Sequence, residues 1–128
     1  MTNDLSAPLC SPLRYPGGKA FLCRYVENLL KLNGLSPDLL VEPFAGGASV
    51  GLHLLGLNLV KTLALFDKDP LVASFWRVAF TNSPWLQDKI RKTRVTIGMW
   101  EKLRASAPEN MREHAWKCLF LNRTSFSG

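Results

Sequence analysis

One stretch, Val41-Glu42-Pro43-Phe44-Ala45-Gly46-Gly47-Ala48-Ser49-Val50, constrains the fold more than any other part of the sequence. The apolar run Leu39-Leu40-Val41 leads into it and predicts a short buried strand that ends on an acid, Glu42. Gly46 and Gly47 lack a Cβ atom, so the backbone can turn sharply there and a ligand can approach closely. Strand, glycine turn and helix start are typical of a cofactor site on a parallel sheet, although a plain strand-to-helix turn gives a similar sequence.

A second apolar run, Thr62 to Phe66, also ends on an acid, Asp67. Because a predicted helix, Ser49 to Leu55, separates the two strands, we expect a parallel pair with a right-handed crossover. Ligands bind outside the carboxyl ends of such strands, and an acid there can accept hydrogen bonds from a ribose diol. The turn carries neither a Gly-Lys-Ser/Thr nor a GxGxxG signature of phosphate binding, which favours S-adenosylmethionine over NAD or ATP.

Bulk composition narrows the class of protein. The 128 residues are 47% hydrophobic, enough for one domain with a core, and no apolar run has the length of a membrane span. The polar N-terminus has no signal-peptide pattern, so we expect a cytoplasmic protein. Cys10, Cys23 and Cys118 are widely spaced and predict neither a disulfide framework nor a zinc site, and we assign no metal ligand.

The net charge of +6 is unevenly distributed. Residues 1–66 carry five Lys/Arg against four Asp/Glu, whereas residues 67–128 carry eleven against six. A regional basic excess indicates a polyanion partner, with nucleic acid the first candidate, and a solvated basic surface is the alternative. The basic set that raises this question is Lys89, Arg91, Lys92 and Arg94.

Helical periodicity and turn residues predict the remaining elements. One helix is expected to begin near residue 19 and to end before Asn33-Gly34. Four more are expected over residues 71–80, 85–91, 99–105 and 111–121. Residues 121–128 are polar and predict a turn-rich tail. The four tryptophans are interpreted as packing residues rather than as platforms for stacking bases.

Three blocks of sequence, taken in order, resemble Dam-type DNA adenine-N6 methyltransferases in which the cofactor motifs precede the target-recognition region. They are Arg14-Tyr15-Pro16-Gly17-Gly18-Lys19, the stretch Val41 to Val50, and Leu121-Asn122-Arg123-Thr124-Ser125-Phe126-Ser127-Gly128. Asp67 lies between them, where the family has its ribose-binding acid. The resemblance covers about residues 13–128.

The resemblance implies an α/β, Rossmann-like class I S-adenosylmethionine-dependent methyltransferase fold, incomplete in this chain. It implies a cofactor-binding portion over residues 1–81 and the helical, basic start of the DNA target-recognition region over residues 82–128. The implied cofactor residues are Tyr15, Lys19, Glu42, Phe44, Ala45, Gly46 and Asp67. Double-stranded DNA is the implied substrate, contacted by Arg123, Phe126 and Ser127, and a cognate restriction endonuclease in the same system is left open. Ser127 stands where the family has asparagine and offers fewer directed hydrogen bonds to a base.

The family's Asp-Pro-Pro-Tyr motif, which faces the adenine amino group, does not occur in these 128 residues. Asp69-Pro70 lacks the second proline and the aromatic residue, so we assign no catalytic residue. We therefore expect the N-terminal part of a longer enzyme. One alternative is a non-catalytic DNA-binding or regulatory remnant, which would have no need of a cofactor pocket. Another, a Rossmann-type oxidoreductase fragment, is disfavoured by the missing GxGxxG.

Because that motif is absent, we predict that the purified chain alone does not methylate DNA. The measurement is transfer of a labelled methyl group from S-adenosylmethionine to adenine in duplex DNA. Incorporation above that of a protein-free blank would contradict the prediction.

Overall fold

A computed structural model describes residues 9–15 and 18–125 of the chain. The chain divides into two compact units, Met1–Phe66 and Asp67–Gly128, and each is described by itself. The sequence-based division after residue 81 separates functions rather than compact units, and it stays a prediction.

The first unit contains two helices and two strands among its described residues. A 3₁₀ turn, Lys19–Leu22, leads into α1 (Cys23–Leu32), followed by β1 (Leu39–Glu42), α2 (Ser49–Gly56) and β2 (Thr62–Leu65). The predicted helix near residue 19 thus starts with a 3₁₀ turn, whose N-cap residue Gly18 supplies no side-chain hydrogen bond. Helix α1 ends at the predicted Asn33-Gly34 stop, where Gly34 has a φ of +61°.

The strands β1 and β2 pair in parallel, with Leu39 opposite Thr62 and Glu42 opposite Leu65. Helix α2 connects them, which confirms the predicted parallel pair with a helix between its strands. The described residues contain this two-stranded sheet and no larger one. The fold expectation is therefore confirmed as a mixed α/β arrangement with a small parallel sheet.

The core of the first unit lies between its helices and its sheet. Leu30, Val50, Leu54 and Val60 form the buried cluster, and Leu40 of β1 packs against it. Val26 and Leu30 of α1 therefore pack with α2 and with one face of the sheet, as amphipathic elements require. The prediction of a buried strand is wrong for the other face of β1, where Leu39 and Val41 are 53% and 48% exposed, because no described residue covers that face.

The second unit is helical, with α3 (Pro70–Thr81), α4 (Ser83–Lys92), α5 (Ile97–Ala105) and α6 (Met111–Thr124). Side chains cap three of these helices: Asp69 accepts from Leu71 N, Thr96 from Met99 N and Asn110 from Glu113 N. Helix α6 runs on to Thr124, so the turn-rich tail expected from residue 121 is wrong up to that point. The reason is that the backbone hydrogen bonds continue, from Ser125 N to Leu121 O, with no glycine or proline to stop them.

Helices α3 and α6 pack against each other and carry the core of the second unit. Trp76 and Trp116 are buried there, which confirms their interpretation as packing residues. Burial, together with the charges of Asp69 and Asp67, raises the pKa of the Cys118 thiol to about 12, so this cysteine is a packing residue with little thiolate character. Across the described ranges, no helix is both long and apolar enough to cross a bilayer.

Truncating the fully buried Leu54 to alanine should strongly destabilise the protein. We expect Leu54→Ala to lower the free energy of unfolding by about 2–5 kcal/mol, because it removes apolar contacts and leaves a cavity. Leu32, 87% exposed at the end of α1, is the matched control, and Leu32→Ala should cost no more than about 0.5 kcal/mol. Urea denaturation measures both variants. Equal losses would show that the core is not where the structure has it.

Candidate cofactor site

The turn after β1 is tied to the end of β2 by backbone hydrogen bonds. Phe66 N donates to Glu42 O at 2.9 Å, and Ala45 N donates to Phe66 O at 2.9 Å. Gly46 has a φ of +49°, and Ala48, the N-cap of α2, has a φ of +51°. A left-handed conformation is uncommon for alanine, so the turn is held by its surroundings rather than by local preference. Residues 45–48 are all buried.

Glu42 joins the end of the strand to the start of the helix. Its Oε1 accepts a hydrogen bond of 2.6 Å from Gly51 N, in the first turn of α2. That N–H has no partner within the helix and Ala48 has no capping side chain, so Glu42 caps the helix from a distance. Burial raises the pKa of Glu42, whereas the Gly51 N–H and the positive charge of Lys19 lower it.

The N-terminal block meets the glycine turn. The Tyr15 ring lies against Gly46 so closely that a Cβ atom there would be 3.1 Å from its Cδ1. Lys19 Nζ donates to Phe44 O at 3.5 Å. The structure therefore brings together six of the seven predicted cofactor residues: Tyr15, Lys19, Glu42, Phe44, Ala45 and Gly46. Ala45 and Gly46 are buried, while Tyr15, Lys19 and Phe44 remain exposed.

The seventh predicted residue, Asp67, follows Phe66 at the start of the second unit. Its Oδ1 accepts from Asp69 N at 3.0 Å, and Asp69 in turn caps α3 through Leu71 N. Asp69, rather than Asp67, is therefore the side chain that caps α3. Of the predicted DNA contacts, Arg123 is exposed in the last turn of α6, and Phe126 and Ser127 lie outside the described residues.

A cleft of about 580 Å³ adjoins the N-terminal block in the first unit. Tyr15, Cys23, Ser49 and His53 are among its lining residues. The Cys23 thiol donates to Ser49 O at 3.5 Å, and burial raises its pKa. The sequence prediction missed this cleft because its walls come from segments far apart in the chain.

Glu27 connects Lys31 and His53 beside this cleft. His53 Nε2 lies 2.7 Å from Glu27 Oε2, and Lys31 Nζ lies 2.6 Å from Glu27 Oε1. Hydrogen bonds from Lys31 and then His53 lower the pKa of Glu27. The (i, i+4) spacing of Glu27 and Lys31 was visible in the sequence, whereas the partnership with His53 was not.

These features define an α/β protein with a tight glycine turn at the carboxyl end of a parallel strand pair. A family model, D12 class N6 adenine-specific DNA methyltransferase, matches residues 15–128. The chain belongs to this family, and the resemblance carried by the three sequence blocks is confirmed. A comparison with curated proteins finds no match.

The contact between Glu42 and Gly51 leaves no room for a side chain at position 51. A Cβ atom there would collide with Glu42 Oε1 and lie 2.5 Å from Leu63 Cδ1. We expect Gly51→Ala to lower the free energy of unfolding by about 1–3 kcal/mol, as overpacking does. Gly98, in α5 with nothing within 4 Å, is the matched control, and Gly98→Ala should raise stability by about 0.4–1 kcal/mol. Chemical denaturation measures both variants. A Gly51→Ala protein as stable as wild type would contradict the packing described here.

Proposed function

We propose that this chain binds S-adenosylmethionine at the glycine turn and serves the transfer of its methyl group to N6 of adenine in duplex DNA. Membership of an adenine-specific DNA methyltransferase family supports the reaction class. The cofactor and the residues that hold it are the proposal. The bound cofactor supplies a methyl group activated by a sulfonium centre.

The observation that carries the proposal is the meeting of two distant sequence blocks at one turn. Tyr15 packs on Gly46, and Lys19 reaches the carbonyl of Phe44, one residue before the buried part of the turn. Ligands of parallel α/β proteins bind outside the carboxyl ends of the strands, which is where this turn lies. An N-terminal segment with only a structural role would have no need to bring an exposed aromatic ring and an ammonium group to this position.

The charges near the turn complement the amino-acid end of S-adenosylmethionine. Glu42 has one carboxylate oxygen on Gly51 N, and its second oxygen is a further acceptor, suited to an ammonium group. Lys19 supplies a positive charge suited to the ligand carboxylate. Gly46 lets the ring of Tyr15 pack on the turn, because a side chain there would meet that ring. The close approach of a ligand expected at Gly46 is therefore taken by Tyr15, whose ring is itself exposed.

We assign the ribose hydroxyls to Asp67 on the basis of chain position. It follows β2 by two residues, and a carboxylate can accept both hydrogen bonds of a vicinal diol. We assign no residue of this chain to the adenine amino group, because the 128 residues contain no Asp-Pro-Pro-Tyr. The proposal therefore limits the chain's part to holding the cofactor and contacting DNA.

Isothermal titration calorimetry with S-adenosylmethionine tests the cofactor assignment. We expect wild type to bind and Asp67→Ala to bind about 10- to 100-fold more weakly, because hydrogen bonds to a charged group contribute about 1.5–3 kcal/mol. Asp38→Ala is the matched control, since the Asp38 side chain is 82% exposed and pairs with Lys61 on the surface. Equal affinities for all three proteins would refute the ribose assignment. A folded wild type that binds no cofactor would refute the function and favour the DNA-binding remnant.

A further inference from the structure

Four basic residues of the second unit cluster at the end of one helix. Residues 67–128 carry eleven Lys/Arg against six Asp/Glu. Lys89, Arg91 and Lys92 lie in the last turn of α4, and Arg94 lies in the link to α5. All four are exposed, and Asp88 pairs with Lys92 at 2.9 Å. A helix end that faces only solvent has the same composition, so these charges alone do not indicate a partner.

Helices α4 and α6 are joined by a pair of reciprocal contacts between cations and tryptophan rings. The guanidinium of Arg112 on α6 lies 5.6 Å from the ring centre of Trp85 on α4. The ammonium of Lys89 on α4 lies 5.8 Å from the ring centre of Trp116 on α6. Each helix contributes one cation and one ring four residues apart, so the contacts form two steps of one seam. Lys89 and Arg112 are both exposed, and they are held in place by the rings.

The seam extends along α6 to a third cation. Arg112 and Arg123 are eleven residues apart, which is about three helical turns, so they lie on the same face about 16 Å apart. Arg123 is exposed in the last turn. We call Lys89, Arg94, Arg112 and Arg123 the basic seam. Its length along α6 corresponds to about five base-pair steps at 3.4 Å each.

We propose that the basic seam binds the phosphate backbone of duplex DNA without reading its sequence. This rests on the proposed function only in taking DNA as the partner. Lysine and arginine on an exposed helix surface neutralise phosphates, and such contacts position a protein on DNA without sequence information. The rings of the seam are covered by cations, whereas single-strand binding uses open aromatic faces on which bases stack. A duplex therefore fits better than a single strand.

Fluorescence anisotropy with a labelled duplex of G·C pairs only, over a salt series, tests the proposal on the full chain. Such a duplex contains no adenine, so binding is separated from any recognition of the target base. We expect the triple variant Lys89→Gln/Arg94→Gln/Arg112→Gln to lower the slope of log K against log salt by about 3, close to one per cation removed. The single variant Arg94→Gln lies outside the helices and should lower it by about 1.

The matched control is the triple variant Arg24→Gln/Lys31→Gln/Lys61→Gln, which removes the same charge from the first unit. We expect its slope to stay within about 1 of the wild-type slope. Equal losses of slope in the two triple variants would overturn the proposal. So would a labelled single strand that binds more tightly than the duplex, or wild type that binds anionic phospholipid vesicles but no duplex. Circular dichroism checks that each variant folds, and Arg94→Gln keeps the test decisive if the triple variant does not.

Cofactor calorimetry separates failure of the seam from failure of the proposed function. The seam variant should bind S-adenosylmethionine as wild type does, because none of its residues belongs to the glycine turn. A wild type that binds no cofactor but shows the seam-dependent salt slope would refute the proposed function and keep the seam. A wild type that binds the cofactor but shows no seam-dependent salt slope would refute the seam and keep the proposed function.

Discussion

The hydrogen bond from Gly51 N to Glu42 Oε1 is the constraint on which the candidate site depends. It fixes the end of β1 to the first turn of α2, with the glycine turn between them. The bond needs a residue without a Cβ at position 51 and a carboxylate at position 42. It also supplies a partner that the helix otherwise lacks, since Ala48 cannot cap it. This contact between residues nine apart joins the two ends of the turn, and the backbone hydrogen bonds to Phe66 hold the segment between them.

The residues around the turn hold it in one conformation. Ala48 is held in a left-handed conformation, and the Tyr15 ring covers Gly46. A turn built in this way is preorganised, so a ligand would lose little free energy in ordering it. Partial burial raises the pKa of Glu42, and the Gly51 N–H and the charge of Lys19 counter only part of that rise. The second unit differs in kind, because its cations lie on exposed helix surfaces over tryptophan rings and suit a large polyanion rather than a small molecule.

The elements that follow from hydrophobic periodicity and from turn residues could be predicted from the sequence. Both strands, the helix between them and the burial of Trp76 and Trp116 follow from apolar patterns and turn residues. The meeting of Tyr15, Lys19 and Glu42 followed from a family resemblance rather than from local physics.

The remainder depends on contacts between distant residues. The sequence alone gives Gly51 no role beyond that of a small helix residue, because its contact with the Glu42 carboxylate depends on the fold. The pairing of His53 with Glu27 joins two helices, and so do the contacts of Lys89 and Arg112 with the tryptophans. The extension of α6 to Thr124 shows that polar residues without glycine or proline do not by themselves end a helix.

The most direct test of the account is amide NMR of the folded chain during titration with S-adenosylmethionine. If the glycine turn binds the cofactor, we expect saturable shifts of the backbone amides of Gly46, Gly47 and Gly51, while the amide of Gly98 in α5 stays unchanged. Saturable shifts confined to other parts of the chain, or none at cofactor concentrations up to about 1 mM, the upper end of the usual range of KM values, would contradict cofactor binding at this turn.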